Sequence, residues 1–392
     1  MTRREFGFSV GALSLGSQCA KSLDSSTPVD QNTVRRRGTG LRALNDASAS
    51  PGLTLFAPMQ GDGSVYLIDL NGRIVHTWRM PYQPGPYGYL TDRGTLLFNG
   101  KIPGESFIAS APFGAGVVLE ADWNGRVLWE IRNANHHHDG RLLKNGNVLL
   151  LCATELPMEV ARRIKGGMPG TEVNGRMWAD YLLEVTKEGR KVWEWRTWDH
   201  LDPAEFPIPL IQNSRAEWTH ANSIFELADG SLLVSFRNIS TVTKIDRKSG
   251  NVLWKLGAPP PSGQHAPVPL ANGNILIFDN GPTRLDHTFP FSRVIEVNPA
   301  TSEIIWKYQD AVPHNFFSDR ISNAQRLPNG NTLINEGMFG RFFEVTPSGE
   351  VVWEYVNPYF GPPGKPPQAQ LNNVFRVYRY TDEEVDRARR AV

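Results

Sequence analysis

VLEADWNGRVLW, residues Val118–Trp129, reads as an apolar strand, a polar turn holding Gly125 and a second apolar strand ending in tryptophan. Period-two alternation on both sides of a glycine turn is the signature of a β-hairpin. The phrase recurs as LIDLNGRIVHTW (Leu67–Trp78), LLEVTKEGRKVW (Leu182–Trp193), TKIDRKSGNVLW (Thr243–Trp254), VIEVNPATSEIIW (Val294–Trp306) and FFEVTPSGEVVW (Phe342–Trp353). The closing tryptophans lie 51, 64, 61, 52 and 47 residues apart, and three of these intervals match one four-stranded propeller blade. The two long intervals carry insertions at 153–180 and 197–217.

A second phrase precedes the first in five units. Leu143-Lys144-Asn145-Gly146-Asn147-Val148-Leu149 is one copy, and the others start at Leu90, Leu227, Leu270 and Leu327. Two hairpins per unit make a four-stranded blade, so the fold expected is an all-β, six-bladed propeller over residues 52–360. The first unit, starting near Leu53, lacks an innermost strand. The alternating stretch Val374–Tyr380, within a C-terminal segment 361–392 that ends in a short helical tail, supplies it and closes the ring. The repeating tryptophans are expected to fill the wedge between blades as core, which removes them from the list of ligand contacts.

Composition narrows the class further. The chain has 392 residues, 40% of them hydrophobic, with 41 basic against 40 acidic side chains. That balance gives no electrostatic reason to bind nucleic acid or an anionic membrane. No run approaches the length of a transmembrane helix. Thr2-Arg3-Arg4-Glu5-Phe6 followed by a modest apolar stretch looks like a twin-arginine export signal over 1–20, with 21–51 as a flexible tether. Cys19 would take a lipid anchor only through the poor lipobox Gly16-Ser17-Gln18. After removal of the signal only Cys152 remains, so no intrachain disulfide forms. Gly7-Phe8-Ser9-Val10-Gly11 matches a nucleophile-elbow pattern but lies inside the signal with no strand before it.

Chemistry is sought where the repeat is broken. Five of the 9 histidines fall at one place, the start of the innermost strand: His136, His137 and His138, then His220, then His265. If the strands are regular, His136, His138, His220 and His265 share a face and His137 is opposite. Arg237 ends the second strand of the blade that carries His220 and reaches the same mouth. Three imidazoles and a guanidinium on one axial cavity fit a tetrahedral oxyanion such as a sulfuryl or phosphoryl group. They also fit a three-histidine metal site, or plain polar filling of the channel. Arg237 favours the anion, because a guanidinium beside a metal is disfavoured unless an anion intervenes. A non-catalytic ligand-binding propeller is a further alternative.

The motif set His137-His138-Asp139, Trp218-Thr219-His220-Ala221-Asn222-Ser223, Ser235-Phe236-Arg237, Gln264-His265 through Asp279-Asn280-Gly281, and Asn373 through Tyr380 resembles the bacterial arylsulfate sulfotransferases, over about residues 52–380. The resemblance implies transfer of a sulfuryl group from an aryl sulfate ester to an acceptor phenol, without a nucleotide or other cofactor, through a covalent sulfohistidine. It implies His265 as nucleophile, with His220, Arg237 and His138 as the catalytic cradle. His137, Asn222, Trp218 and Asn280 are implied as substrate-binding residues, with no metal. No G-x-x-x-x-G-K-[ST] loop is present, which agrees with an ester donor. The two inserts, with Met158, Met168, Met177, Trp178, Trp198 and Phe206, are expected to cap the channel.

Overall fold

The turn in the second phrase shows how the sequence sets each hairpin. Leu143 N–H donates to Asn147 O at 2.8 Å and Gly146 N–H donates to Leu143 O at 2.9 Å. Closing that tight loop needs a left-handed residue at its fourth position, and Gly146 takes it at φ 87°. The Leu227, Leu270 and Leu327 copies close in the same way. A computed structural model describes residues 28–32, 36–209, 213–362 and 370–391. These hairpins assemble into six antiparallel sheets. Blade 1 runs from Val374–Tyr380 at the axis through Leu53–Pro58 and Ser64–Ile68 to Ile74–Arg79. Blades 2 to 5 start at the axis with Gln83–Leu90, His136–Leu142, Ala221–Glu226 and His265–Pro269. Blade 6 starts with Asn323–Arg326 and ends with Val351–Val356.

Successive innermost strands contact one another right round the axis, and Val374–Tyr380 completes the ring as the sequence led us to expect. A nine-residue helix, Asp382–Arg390, follows it, opened by a capping box between Thr381 and Glu384. One boundary differs from expectation. Gly40–Leu44, inside the stretch read as a tether, is a fifth strand that pairs with Val351–Val356 and covers the outer edge of blade 6. The expected signal at 1–20, with Cys19, lies outside the described residues.

The tryptophans pack into or against the core as expected, but to different depths. Only Trp78 and Trp353 of the six are fully buried; Trp129, Trp193, Trp254 and Trp306 are half-buried. Trp78 in fact sits two residues beyond the others, where His76 takes the repeat position. Four of the repeat tryptophans lie under a cation from the next blade: Lys187 over Trp129, Arg247 over Trp193, Arg326 over Trp306 and Arg379 over Trp353. Each of those cations also pairs with the glutamate of the repeat phrase, Glu120, Glu184, Glu296 and Glu344 respectively. Glu184 accepts in addition from Asn145 at 2.9 Å and Asn147 at 2.7 Å, and Glu296 from Asn272 at 3.0 Å and Asn274 at 2.7 Å. The two phrases of a blade are thus joined by one carboxylate, and the blade is joined to its neighbour through a cation that the indole shields.

The site is placed by where the long loops fall. Every inner strand begins at one end of the ring, and the long connections 102–115, 156–177, 197–220, 280–292 and 309–322 all lie at that end. At the opposite end the described connections within blades are short turns, and the segment 45–52 and the helix Asp382–Arg390 lie there with them. The loops 156–177 and 197–220 pair with each other through Gly166–Ile208, Met168–Ser214 and Trp178–Glu217. Arg215 locks them, donating to Glu172 at 2.6 Å and to Gly166 O at 2.6 Å. Of the residues expected in this cap, Met177 and Phe206 are buried inside it and Met158 and Met168 are exposed.

Candidate functional site

The strands that carry the histidines are not regular at the channel mouth. His138, His220 and Ala266 have φ of 50°, 49° and 46°, and the pairing register shifts beside each of them. A bulge with a left-handed residue re-aims side chains and breaks alternation. The face assignment made from alternation is therefore corrected. His136 turns into the body of the sheets, with Nδ1 3.0 Å from Leu151 O and Nε2 3.2 Å from the Asn99 side chain, and burial pushes its pKa down to about 4. His137 and His138 converge instead of opposing each other, Nδ1 to Nδ1 at 2.7 Å.

The order of protons follows from the fixed partners. His137 Nε2 lies 3.0 Å from Asp180 Oδ1, at ion-pair distance though outside hydrogen-bond geometry, so the carboxylate favours a proton on that nitrogen. His137 Nδ1 then accepts from His138 Nδ1–H, leaving a lone pair on His138 Nε2. Burial alone would raise the Asp180 carboxyl, but His137, the Thr219 hydroxyl and Ala221 N–H hold it below its ordinary value. The His138 ring stacks on Phe113 at 4.7 Å and meets His220 edge-on at 4.8 Å. Burial first, and then the charges of His220, His137, His265 and Arg376, hold its pKa well below that of a free imidazole.

His220 is the most open of the group, with 12% of its side chain exposed. Its Nδ1 faces Glu217 Oε2 at 2.7 Å. His265 is buried, and its Nδ1 is 2.8 Å from Asn280 Oδ1. The Asn280 amide cannot be turned round, because its Nδ2 donates to Ser318 O at 2.8 Å and Ile321 O at 2.9 Å. So His265 carries its proton on Nδ1 and its lone pair on Nε2, where it accepts from Ile321 N–H at 3.1 Å. Burial and then the Arg237 charge keep this imidazole neutral, well below its ordinary pKa.

Arg237 is the cation of the site. Its guanidinium makes only two long hydrogen bonds, to Asn238 Oδ1 at 3.3 Å and Asp319 O at 3.4 Å. Its Nε is buried with no partner, and among the described residues no carboxylate lies within salt-bridge reach of it. Arg376 is different. It donates to Tyr87 at 2.6 Å, to Asp139 at 3.0 Å and to Asn222 O at 2.8 Å, so its charge is spent inside the fold. Among the described residues no group of three or more His, Cys, Asp or Glu side chains is arranged to hold a metal ion.

The structure thus brings His138, His220, His265 and Arg237 to one mouth. Asn280 and His137 stand behind His265 and His138 and orient them. Asn222 is buried below, its Nδ2 donating to Gln264 O at 2.7 Å and its Oδ1 unpaired. Trp218, expected beside the substrate, is fully buried under the cap with its indole N–H on Phe206 O at 2.8 Å, where it anchors the insert. Phe113, Phe375, Asp180 and Glu217 were missed by the sequence reading. Phe113 comes from the connection 102–115, which the repeat does not describe, and Asp180 from the start of the strand Trp178–Val185, just ahead of the repeat phrase at Leu182. The spacing Glu217-x-x-His220 was the one signal that could have drawn attention to the carboxylate.

The arylsulfotransferase (ASST) family model matches residues 42–261 and 259–357. No curated protein matches the chain in sequence. Among solved structures, a protein of unknown function from Bacteroides caccae is 17% identical with a TM-score of 0.49, covering 84% of this chain and 100% of its own. Virginiamycin B lyase from Staphylococcus aureus, solved as an inactive variant with quinupristin, is 11% identical with a TM-score of 0.46, covering 81% and 88%. Hydrazine synthase of Kuenenia stuttgartiensis is 14% identical with a TM-score of 0.45, covering 76% and 77%. Among the described residues no helix is long and apolar enough to cross a membrane.

Proposed function

Because this chain belongs to the arylsulfotransferase family, we propose that it moves a sulfuryl group from an aryl sulfate ester to an acceptor phenol through a sulfohistidine on His265. The observation that carries the reading is Arg237, a buried cation with no carboxylate partner, whose charge bears directly on His265. A fold gains nothing from such a group unless an anion completes it.

In the first half-reaction the lone pair on His265 Nε2 attacks sulfur as the bond from sulfur to the phenolic oxygen breaks. Ile321 N–H gives up Nε2 and turns to a sulfuryl oxygen, which Arg237 also holds. Asn280 Oδ1 accepts Nδ1–H throughout and stabilises the positive ring that forms. In the second half-reaction the acceptor oxygen attacks sulfur, and the N–S bond returns its electrons to Nε2. Neutral imidazoles at His138 and His265 suit this sequence, since a protonated ring has no lone pair. The twin-arginine pattern at Arg3 and Arg4 supports export of the protein to the periplasm or beyond.

The test is purified protein given nitrophenyl sulfate, with and without phenol, beside His265→Ala. Donor alone should add one sulfuryl to a peptide containing His265, and nitrophenol release beyond one equivalent should need phenol. Turnover that survives in His265→Ala would remove His265 from the nucleophile's role.

A further inference from the structure

Buried carboxylates in this fold are well supplied with donors, and Glu217 stands apart from them. Asp139 accepts from Tyr87, Arg141, Arg376 and Ile224 N–H. Asp180 accepts from Thr219 and Ala221 N–H, and its Oδ1, which no hydrogen bond reaches, lies at ion-pair distance, 3.0 Å, from His137 Nε2. Glu336 has Phe317 N–H and Arg341. Glu217, 6% exposed, has one polar partner for its side chain, His220 Nδ1 at 2.7 Å, and its Oε1 is buried with none. A buried carboxyl held this way is poorly solvated by the fold, since one hydrogen bond and the through-space charge of Arg237 stand in for its water.

Its backbone is nevertheless fixed from several sides. Glu217 O accepts from Asn238 Nδ2 at 3.0 Å, the residue bridges to Trp178, and the adjacent Trp218 indole is anchored on Phe206 O. The cap therefore delivers one carboxylate oxygen to one imidazole nitrogen. The two rings near Arg237 are backed differently: His265 by the neutral amide of Asn280, His220 by a carboxylate. A neutral acceptor fixes a tautomer. A carboxylate also stabilises the ring once it has taken up a proton.

We infer that Glu217 is a positioning residue that makes His220 Nε2 the general base for the acceptor hydroxyl, and that the acceptors therefore include aliphatic alcohols, which are not ionised at neutral pH. The inference rests on the sulfohistidine reading above. In the second half-reaction the acceptor O–H proton passes to His220 Nε2, the oxygen–sulfur bond forms, and the His265 N–S bond breaks with its electrons returning to Nε2. The imidazolium at His220 returns its proton to the next departing phenolate, so the cycle balances without another acid or base. Glu217 holds Nδ1–H throughout.

The experiment compares wild type with Glu217→Gln, which preserves shape, using nitrophenyl sulfate as donor. The acceptors are a nitrophenol that is already ionised, phenol, and an aliphatic alcohol. Wild type is expected to sulfate all three. The variant should fall by only a few-fold with the ionised phenol and by about 10²-fold or more with the alcohol, the range of a general base. Its His265 adduct should still form and should persist longer. In wild type a solvent deuterium isotope effect on adduct breakdown should appear with the alcohol and be absent with the ionised phenol, which tests the proton transfer without any substitution. An equal loss across the three acceptors, no isotope effect with the alcohol, or a wild type inactive toward the alcohol while its adduct forms would each overturn the inference alone. A wild type that takes no sulfuryl from the donor overturns it together with the reading beneath it.

Discussion

Replacing Arg237 by methionine should move activity and stability in opposite directions. The guanidinium makes two hydrogen bonds, at 3.3 and 3.4 Å, both long enough to be weak, and its Nε makes none. Its burial is otherwise compensated only through space, by the Asp319 and Glu217 charges, and burial outweighs them to lower its pKa. Replacing a buried charge that has no ion-pair partner by an apolar side chain of similar length is neutral or stabilising, by about 1–2 kcal/mol. Thermal unfolding of Arg237→Met should show a Tm equal to wild type or higher by about 1–3 °C. Sulfuryl transfer should fall by about 10²–10³-fold in kcat/KM, the usual loss for one donor that grips developing negative charge. Inorganic sulfate should raise the Tm of wild type and leave the variant unmoved, since only a folded anion site gains from ligand. With Arg237 gone, His265 loses the largest charge that depresses it, so the acid limb of the pH profile should shift upward. A variant that unfolds several degrees earlier and keeps its activity within tenfold would show that Arg237 is a structural residue, and the reasoning would be refuted.

Two other outcomes are expected. His136, His138 and His265 all have folded pKa values below those of the unfolded chain, so the unfolded state binds more protons and stability must fall as pH drops from about 6.5 toward about 4; for His136, at about 4, the contribution is on the order of 3 kcal/mol. Urea midpoints measured across that window should decline for wild type and less steeply for His136→Gln. Trp195, fully buried with its indole N–H 2.8 Å from Gly250 O in the next blade, should cost about 2 kcal/mol when changed to phenylalanine, whereas half-buried Trp254 should cost less than about 1 kcal/mol; chemical denaturation of the two variants checks the order.

The repeat was legible because each blade is built from local chemistry. Leu143 to Asn147 folds its own turn, alternation decides which side chains face inward, and Val374–Tyr380 offers the one strand that the first unit lacks. The clustering of histidines at one point of that repeat was legible for the same reason. Which way they point was not. His138, His220 and Ala266 adopt left-handed backbone; histidine enters that region more often than most non-glycine residues, but still too seldom for its presence to mark a bulge, and alanine gives no sign at all. Trp218 misled because sequence adjacency to His220 says nothing about the cap that buries it.

The sequence by itself therefore determined the six-bladed ring, the strand that closes it and the end where chemistry resides, since hairpins and repeat spacing are short-range properties. Tertiary structure alone decided the proton order. Asp180, Glu217 and Asn280 lie 43, 3 and 15 residues from the imidazoles they orient, and only folding sets each at hydrogen-bonding or ion-pair distance. It also decided that Arg376 is paired with Asp139 while Arg237 has no carboxylate at ion-pair distance among the described residues. Pairing of charges depends on which strands and loops meet at the axis, and no local pattern carries that.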